Sequence, residues 1–484
     1  MASETKAEKT TVFRNLDWIV GWDTGAGQHV YRSGDVAFKG NALIHVGGPF
    51  AGAADVERDG KGLMAMPGLI NLHAHPCLET IYRGIREDHG VPEQYMAGLF
   101  ERSMAYWPDD EGCFAAAESA FVELLQSGVT TVVDISFDYG GWIDLIAKSG
   151  LRAYVAPAYA SAKWHVEVPQ RIDYRWDEPM GRQRLAQSLD LIDRAMRHPS
   201  GRLSGLVSPA QIDTCTEDLL RDSFDAAKER KIPFTVHAAQ AMNEFLEMVR
   251  RHGKTPIQFA ADLGLLGPTT IVGHGIFIDE HSWTNWHSRR DIGLLAEAKA
   301  TVAHCPSPFA RYGVTLESFG KYVAAGINVG LGTDVAPHNL IEEMRLAAVL
   351  SRVSARDIRA GSTTAVFNAA TIGGAYALGR TDLGRLASGA KADVVLVDLA
   401  HPLMMPVRDP LRSLVFSAAE RAVREVYIDG AQVVSEGRAL TIDPMPALER
   451  LALAQRRMEA AVPQRDPRRR TSEEITPLVF RKLN

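Results

Sequence analysis

Cysteine is scarce: Cys77, Cys113, Cys215 and Cys305 are the only four in 484 residues, and no two form a C-x-x-C. That spacing argues against a disulfide framework or a structural zinc knot, and free thiols suit a reducing cytoplasm, where the chain is expected to reside. Cys77 and Cys305 stand near histidines considered below, but small buried residues in tight spaces are the simpler reading of both. Long apolar runs are missing too. No stretch has the length of a membrane span, and the opening "MASETKAEKT" lacks the apolar core of a secretory signal. Neither sign of charge dominates. With 53 basic against 59 acidic side chains there is no electrostatic reason to expect nucleic acid or membrane as partner. Repeats of solenoid period and low-complexity segments are also lacking.

What is present is the composition of a globular protein, 46% hydrophobic and 23% charged, in a chain too long for one ordinary core. Residues 1–66 read as short β segments punctuated by glycine, such as "GDVAFKGNALIHVGG". From "MPGLINLHAHP" the pattern changes to continuous apolar runs that end in polar residues and alternate with helical stretches. There are eight such runs: "GLINLHAH", "TTVVDIS", "LRAYVAPA", "LSGLVSPA", "PFTVHAA", "TTIVGH", "ATVAHC" and "INVGLGTD". Amphipathic candidates between them include "GCFAAAESAFVELLQSG", "EDLLRDSFDAAKER" and "LESFGKYVAAG".

The fold expected is α/β: a (β/α)₈ TIM barrel over 67–384, inserted in a small β-sandwich-like domain formed by segments 1–66 and 385–440. Residues 441–484 are left as a C-terminal helix and tail. The basic cluster Arg468, Arg469 and Arg470 reads as part of a solvated tail or of an arm on a neighbouring subunit.

Barrel enzymes place reacting groups at the C-terminal ends of their strands. Here those ends carry His73 and His75, Asp134, His237, His274, His304 and Asp334. Polar residues closing apolar strands are costly unless paired or ligated, so their convergence on one mouth points to a metal site. His73-Ala74-His75 is the sharpest signal, because period two on a strand sends both imidazoles to one side. His237 adds a nitrogen and Asp334 an oxygen. Three histidines and a carboxylate suit one Zn²⁺ per subunit, with Fe²⁺, Co²⁺ or Mn²⁺ compatible by ligand type.

The segments "PGLINLHAHPCLETIYRG", "TVHAAQ", "IVGHGIFI", "VAHCPSP", "GLGTDVAPHNLIEEMR" and "GRLASGAKADVVLVD" together resemble the amidohydrolase superfamily, in the branch of cytosine deaminase and the triazine hydrolases. The resemblance implies that His73, His75, His237 and Asp334 hold the metal. It implies that His274 stands beside the metal and touches the reacting oxygen, and that Asp334 takes the proton of the attacking water. By the same resemblance His304 belongs to the substrate pocket, although "HCPSPFARYG" departs from the family's usual "HCPxSN". Binuclear relatives use a carboxylated lysine on the third or fourth strand. The fourth strand has none and Lys163 lies well past the third, which favours a single metal. A homo-oligomer, a dimer or larger, is expected by resemblance alone.

One residue breaks the pattern. Three places after such a strand-five histidine the family usually has a proton-shuttling glutamate, and here stands Gln240. Attack of metal-bound hydroxide on an aminated ring carbon requires protonation of a ring nitrogen, and losing a positioned acid/base costs roughly 10²–10⁴ in rate. A carbonyl substrate needs no ring protonation, since its oxyanion can rest on the metal and His274. The expected substrate is therefore an amide, urea, carbamate or thiocarbamate, in the manner of the phenylurea and thiocarbamate herbicide hydrolases that degrade xenobiotics. The alternative is a deaminase or chlorohydrolase acting on a purine, pyrimidine or s-triazine, with Glu79 or Glu244 as substitute acid. A silent barrel serving as a binding module is the alternative from another class.

A small, hydrophobic or aryl substrate is read from aromatics on the strand-end loops: Tyr82, Trp107, Trp142 and Trp164, then Tyr174, Trp176, Phe309 and Tyr312. Glu79, Gln240, His304 and His338 complete the expected substrate contacts. Glu244 is assigned a surface or ion-pair role.

Overall fold

The computed structural model describes residues 9–85, 99–100, 104–166 and 171–482. Both ends of the chain meet in one nine-stranded sheet. Thr10–Asp23 lies at its centre. It pairs antiparallel with Gln28–Lys39 and parallel with Val56–Asp59 and Leu63–Pro67. Leu63–Pro67 pairs antiparallel with Val394–Asp398, Val394 opposite Pro67, and the sheet continues through Val423–Ile428 and Ala431–Ser435. One face of these strands gathers Phe13, Val36, Phe38, Leu396 and Tyr427 into a separate core. The Phe13 and Tyr427 rings meet edge to face at 5.2 Å, across strands nearly the whole chain apart.

Eight parallel strands follow, each ending near one face of the molecule. The first to fourth are Leu69–Ala74, Val129–Asp134, Arg152–Val155 and Leu203–Gly205, and they form one sheet in the order four-three-two-one. The fifth to eighth are Phe234–Ala238, Thr270–His274, Thr301–His304 and Asn328–Leu331, in chain order in a second sheet. Isolated parallel bridges join the halves: Val207 to Phe234 and Gln211 to His237 on one side, Ala74 to Asp334 on the other. The strands thus follow one another round a ring of TIM-barrel type. Nearly all their residues are buried, as strands covered on both faces must be.

The intervening helices follow their sequence signals. Asp109 accepts a hydrogen bond from Gly112 N at 2.7 Å and opens Asp110–Gln126, which buries Phe121, Leu124 and Leu125. Thr216 caps Glu217–Arg230 in the same way, and that helix stops where Lys231 turns left-handed. "LESFGKYVAAG" yields a shorter helix, Phe319–Ala324. None of the described helices is long and apolar enough to cross a membrane.

Two features differ from the sequence reading. An antiparallel hairpin, Ala162–His165 with Asp173–Trp176, follows the third strand. The C-terminal segment packs on its own chain. Helix Pro444–Ala460 lies against Asp110–Gln126 through the Arg450–Glu118 ion pair, and Gln455 Nε2 donates to the carbonyls of Ile81 (2.7 Å) and Arg83 (2.9 Å). Beyond it, Asp466 is buried and paired with Arg470 at 2.8 Å, while Ile475 enters a core cluster with Ile81 and Tyr106. Apolar anchors spaced along a charged segment were masked by its arginines.

The two domains are pinned together by Arg152 of the third strand, whose Nη2 donates to Asp429 Oδ1 at 2.7 Å and to Asp393 Oδ1 at 3.2 Å, with Arg152 and Asp393 both buried. Arg152→Met would leave the buried Asp393 without a cation and Asp429 with only the more distant Lys391 (3.8 Å), and an unfolding free energy lower by about 3 kcal/mol is expected. Urea titration with an unchanged slope measures it; a midpoint equal to that of the parent would show the pin to be dispensable.

Candidate functional site

Strand one delivers His73 to the centre of the ring. Asn71, two residues earlier on the same strand, holds it there: Asn71 Oδ1 accepts from His73 N at 3.1 Å and from Thr333 N at 3.2 Å, while Asn71 Nδ2 donates to Thr333 Oγ1 at 2.8 Å. Glycine makes the room. A Cβ on Gly332 would stand 2.6 Å from His73 Cβ, and one on Gly273 would stand 2.9 Å from His73 Cε1. His274 and Asp334, at the ends of strands six and eight, adopt positive φ of 123° and 59°. Such conformations are sparsely populated for non-glycine residues and cluster at functional sites.

Four imidazoles and one carboxylate converge here. The His73 ring lies 5.0 Å from that of His75, 4.6 Å from His237 and 4.7 Å from His274. Asp334 Oδ1 is 3.2 Å from His75 Nε2 and 3.7 Å from His73 Nε2, and its Oδ2 is 3.9 Å from His274 Nε2. His75 Nδ1 donates to the Ile135 carbonyl at 2.7 Å and His237 Nδ1 to that of Ala210 at 2.5 Å. A carbonyl only accepts, so each Nδ1 carries a proton and each Nε2 faces inward, the two 3.4 Å apart. Both ring nitrogens of His73 and of His274 are buried without a hydrogen-bond partner.

Burial lowers three of these imidazoles: His73 falls well below its ordinary range, His237 drops to about 3 and His274 to about 4, each helped by neighbouring imidazoles. His75 is raised instead: burial acts to lower it, but the Asp334 carboxylate beside its Nε2 and the charge of Glu79 outweigh that. For Asp334, burial alone would raise the carboxyl, but the hydrogen bond from His75 and the surrounding imidazoles hold it well below the usual carboxylate range. Donor atoms of His73, His75 and His237, and likewise of His73, His274 and Asp334, lie within 4.8 Å of one another. Imidazole nitrogens and an ionised oxygen around a buried centre are the donor set of a divalent transition metal, and the orphaned nitrogens of His73 fit such an ion.

Above the cluster opens a cavity of about 840 Å³, floored by His75, His237, Gln240 and Asp334. Glu79 and Tyr82 line it from a short 3₁₀ turn after strand one, and Trp107, Phe137, Tyr159 and Trp164 supply aromatic wall. Trp164 is held by Asp213, whose Oδ2 accepts from Trp164 Nε1 at 2.9 Å and from Tyr174 OH at 2.7 Å. Arg465 and Pro467 of the C-terminal arm complete the rim.

Several expected site residues are elsewhere. Asp134 accepts from Ser136 Oγ at 2.5 Å and from Trp142 Nε1 at 2.8 Å, so both are spent in packing below the mouth. His304 is buried against Phe319 and does not line the cavity. Phe309 sits edge-on to His274 at 4.7 Å, supporting that ring without reaching the cavity. His338 is wholly buried, its Nδ1 2.8 Å from Thr333 Oγ1, and belongs to the Asn71 network rather than to a substrate contact. Tyr174, Trp176 and Tyr312 are also absent from the wall. Tyr174 and Trp176 instead stack under Arg251, 4.2 and 4.9 Å from its Cζ. Glu244 is neither on the surface nor in the cavity: its two oxygens accept from Ala239 N at 2.7 Å and Gln240 N at 2.8 Å, shaping the turn that presents Gln240. Burial, with Asp213 nearby, raises it to about 8.

Asn71, Asp213 and the arm residues escaped the sequence reading. Asn71 had a signal, since it occupies the same strand face as His73 and His75.

The amidohydrolase family pattern matches residues 64–433. Over 430 residues the chain is 32% identical to 5-methylthioadenosine/S-adenosylhomocysteine deaminase of Halobacterium salinarum, covering 87% of this chain and 92% of that protein. The chain belongs to the amidohydrolase family. It is therefore a hydrolase. Its fold is similar to that of a zinc-bound adenosine deaminase from Xanthomonas campestris, with a TM-score of 0.78, 22% identity and 93% and 98% of the two chains covered. It is also similar to zinc-complexed atrazine chlorohydrolase from Arthrobacter aurescens, with a TM-score of 0.77, 23% identity and 93% and 99% covered.

If Asn71 positions His73, Asn71→Ala should weaken divalent-metal affinity roughly 10–100-fold. Competition against a chromophoric chelator reads this directly, and an unchanged affinity would free His73 from any dependence on the network.

Proposed function

We propose that this amidohydrolase is a metal-dependent aminohydrolase that replaces an exocyclic amino or comparable leaving group on an N-heterocycle by oxygen. The observation that carries the reading is a carboxylate, Glu79, that lines the same cavity as Gln240 and lies near enough to His75 to act on its charge. The preference for carbonyl substrates rested on Gln240 leaving the site without a proton carrier. With Glu79 on the wall that premise fails. The relatives, named for adenosine-type compounds and for a triazine, lend support to the ring reading and none to urea or carbamate hydrolysis.

His73, His75, His237 and Asp334 would hold the ion, which when bound supplies Lewis acidity and lowers the pKa of water toward neutrality. The chain's own groups divide the remaining work. Asp334, kept ionised, takes a proton from the attacking water. Gln240 offers an N–H and a carbonyl oxygen to the ring edge and fixes its orientation. Glu79 moves protons to the ring nitrogen and to the departing amine. The balance is simple: water adds to the ring carbon, the C–N bond breaks, and ammonia leaves. One proton of the water ends on the ring nitrogen and the other on ammonia. His274 faces the reacting oxygen as a neutral imidazole. The aromatic wall of Trp107, Phe137 and Trp164 suits a flat heterocycle and keeps water from its faces.

Mass-spectrometric product analysis tests the class. Metal-replete protein should act on members of a set of aminopurine nucleosides, aminopyrimidines and amino- or chlorotriazines, and leave aryl ureas, carbamates, thiocarbamates and anilides intact. Turnover confined to the second set would overturn the proposal. Within the first set, Glu79→Gln is expected to lower kcat by roughly 10²–10⁴, as loss of a general acid/base does. A Glu79→Gln enzyme at full kcat would remove Glu79 from the proton path.

A further inference from the structure

The outer half of the cavity has a feature that this chemistry does not use. Lys163 and Arg175, cross-strand partners on the hairpin, line it together with Arg184 of helix Glu178–Met196 and Arg465 of the C-terminal arm. Among the described residues no carboxylate forms an ion pair with any of the four; Asp109 pairs with Arg457 and also feels the charge of Arg465. Arg175 Nη2 approaches His165 Nε2 at 2.8 Å, and Arg465 donates to the carbonyl of Trp107. Arg182, two residues before Arg184 and turned away from the cavity, instead pairs with Glu178 at 3.8 Å. The carboxylates of the cavity lie elsewhere. Glu79 and Asp334 are at the floor beside His75, and the charged neighbours of Asp138 are Arg194 and Asp110.

Four like charges line one cavity, Arg184 half-buried and the other three exposed, and a concave lining concentrates their field. An anion supplies the missing charge, and guanidinium groups offer paired donors that match a carboxylate or phosphate. We infer that Lys163, Arg175, Arg184 and Arg465 select a substrate bearing an anionic group at the end remote from its reacting ring carbon. Arg465 makes the C-terminal arm part of the specificity machinery. The arm is held in place by Asp466 and by Tyr106, whose hydroxyl lies 3.0 Å from Ser472 Oγ. The inference rests on the proposed function for the ring end of that substrate, and on the cavity alone for its charged end.

Calorimetry on metal-replete protein tests it with isosteric pairs. Adenosine is compared with adenosine-5′-carboxylic acid and adenosine 5′-monophosphate, and 4-aminobenzamide with 4-aminobenzoate. The anion of each pair is expected to bind about tenfold more tightly at low ionic strength, with an advantage that shrinks as salt is added. The two charged nucleosides separate a carboxylate from a phosphate preference. In the Arg184→Gln/Arg465→Gln double variant the advantage should fall below about threefold, whereas Arg182→Gln, the same charge change on the same helix, should keep it. Equal binding of anion and neutral partner in both series would overturn the inference. So would a double variant that keeps the full advantage, or no detectable binding of any probe. Failure of the ring chemistry is distinguishable, because 4-aminobenzoate would still outbind its amide while no heterocycle is turned over.

Discussion

At the centre of the strand ring, His73 keeps two imidazole nitrogens buried with no hydrogen-bond partner, and His274 does the same from the end of strand six. Polar atoms in such a place cost free energy until something ligates them, and much of the surrounding structure serves to hold them there. Gly273 and Gly332 vacate the space the His73 ring needs. Asn71 ties strand one to the loop after strand eight through Thr333. The bridges that join the two halves of the ring fall beside the same cluster, Ala74 against Asp334 and Gln211 against His237. Closing the ring and assembling the donor set are thus one structural event, and Asp334, with its positive φ, stands at one of these seams.

Around that floor the work is divided by origin in the chain. Groups suited to chemistry come from the ends of the parallel strands, where backbone position is fixed by pairing on both sides. Glu79, on the 3₁₀ turn after strand one, is the exception; groups suited to recognition come from additions: Tyr82 of that turn, the hairpin with Lys163 and Trp164, and the C-terminal arm with Arg465. Asp213 links the two layers. Its carboxylate fixes Trp164 and Tyr174, and its main-chain carbonyl accepts from Arg251, which stacks on Tyr174. Such a division lets one barrel keep its reaction while its substrate range is set by parts that do not pair into the ring.

Gln240 and Glu244 show how a local reading of chemistry goes astray. At Gln240 the amide removes a proton carrier from one position, but the cavity holds another carboxylate contributed by a different loop. Glu244 has the right side chain and a neighbouring sequence position, yet its oxygens are committed to the backbone amides of Ala239 and Gln240. Whether a site can move a proton depends on which groups share its wall, and that is a property of the assembled cavity.

The sequence by itself determined the alternation of buried strands and helices, the strand ends, and through them His73, His75, His237, His274 and Asp334. Burial on both faces of a parallel strand writes an apolar run that any polar terminus interrupts, so these positions are legible one strand at a time. Only the tertiary structure decided which strand-end groups face the centre. Asp134, His304 and His338 end or follow strands in the same manner, but are absorbed by Trp142, by Phe319 and by Thr333. It alone brought the hairpin and the C-terminal arm over the mouth. Those contacts join segments hundreds of residues apart through single side chains, with no period to announce them, and they exist only once the ring has closed beneath them.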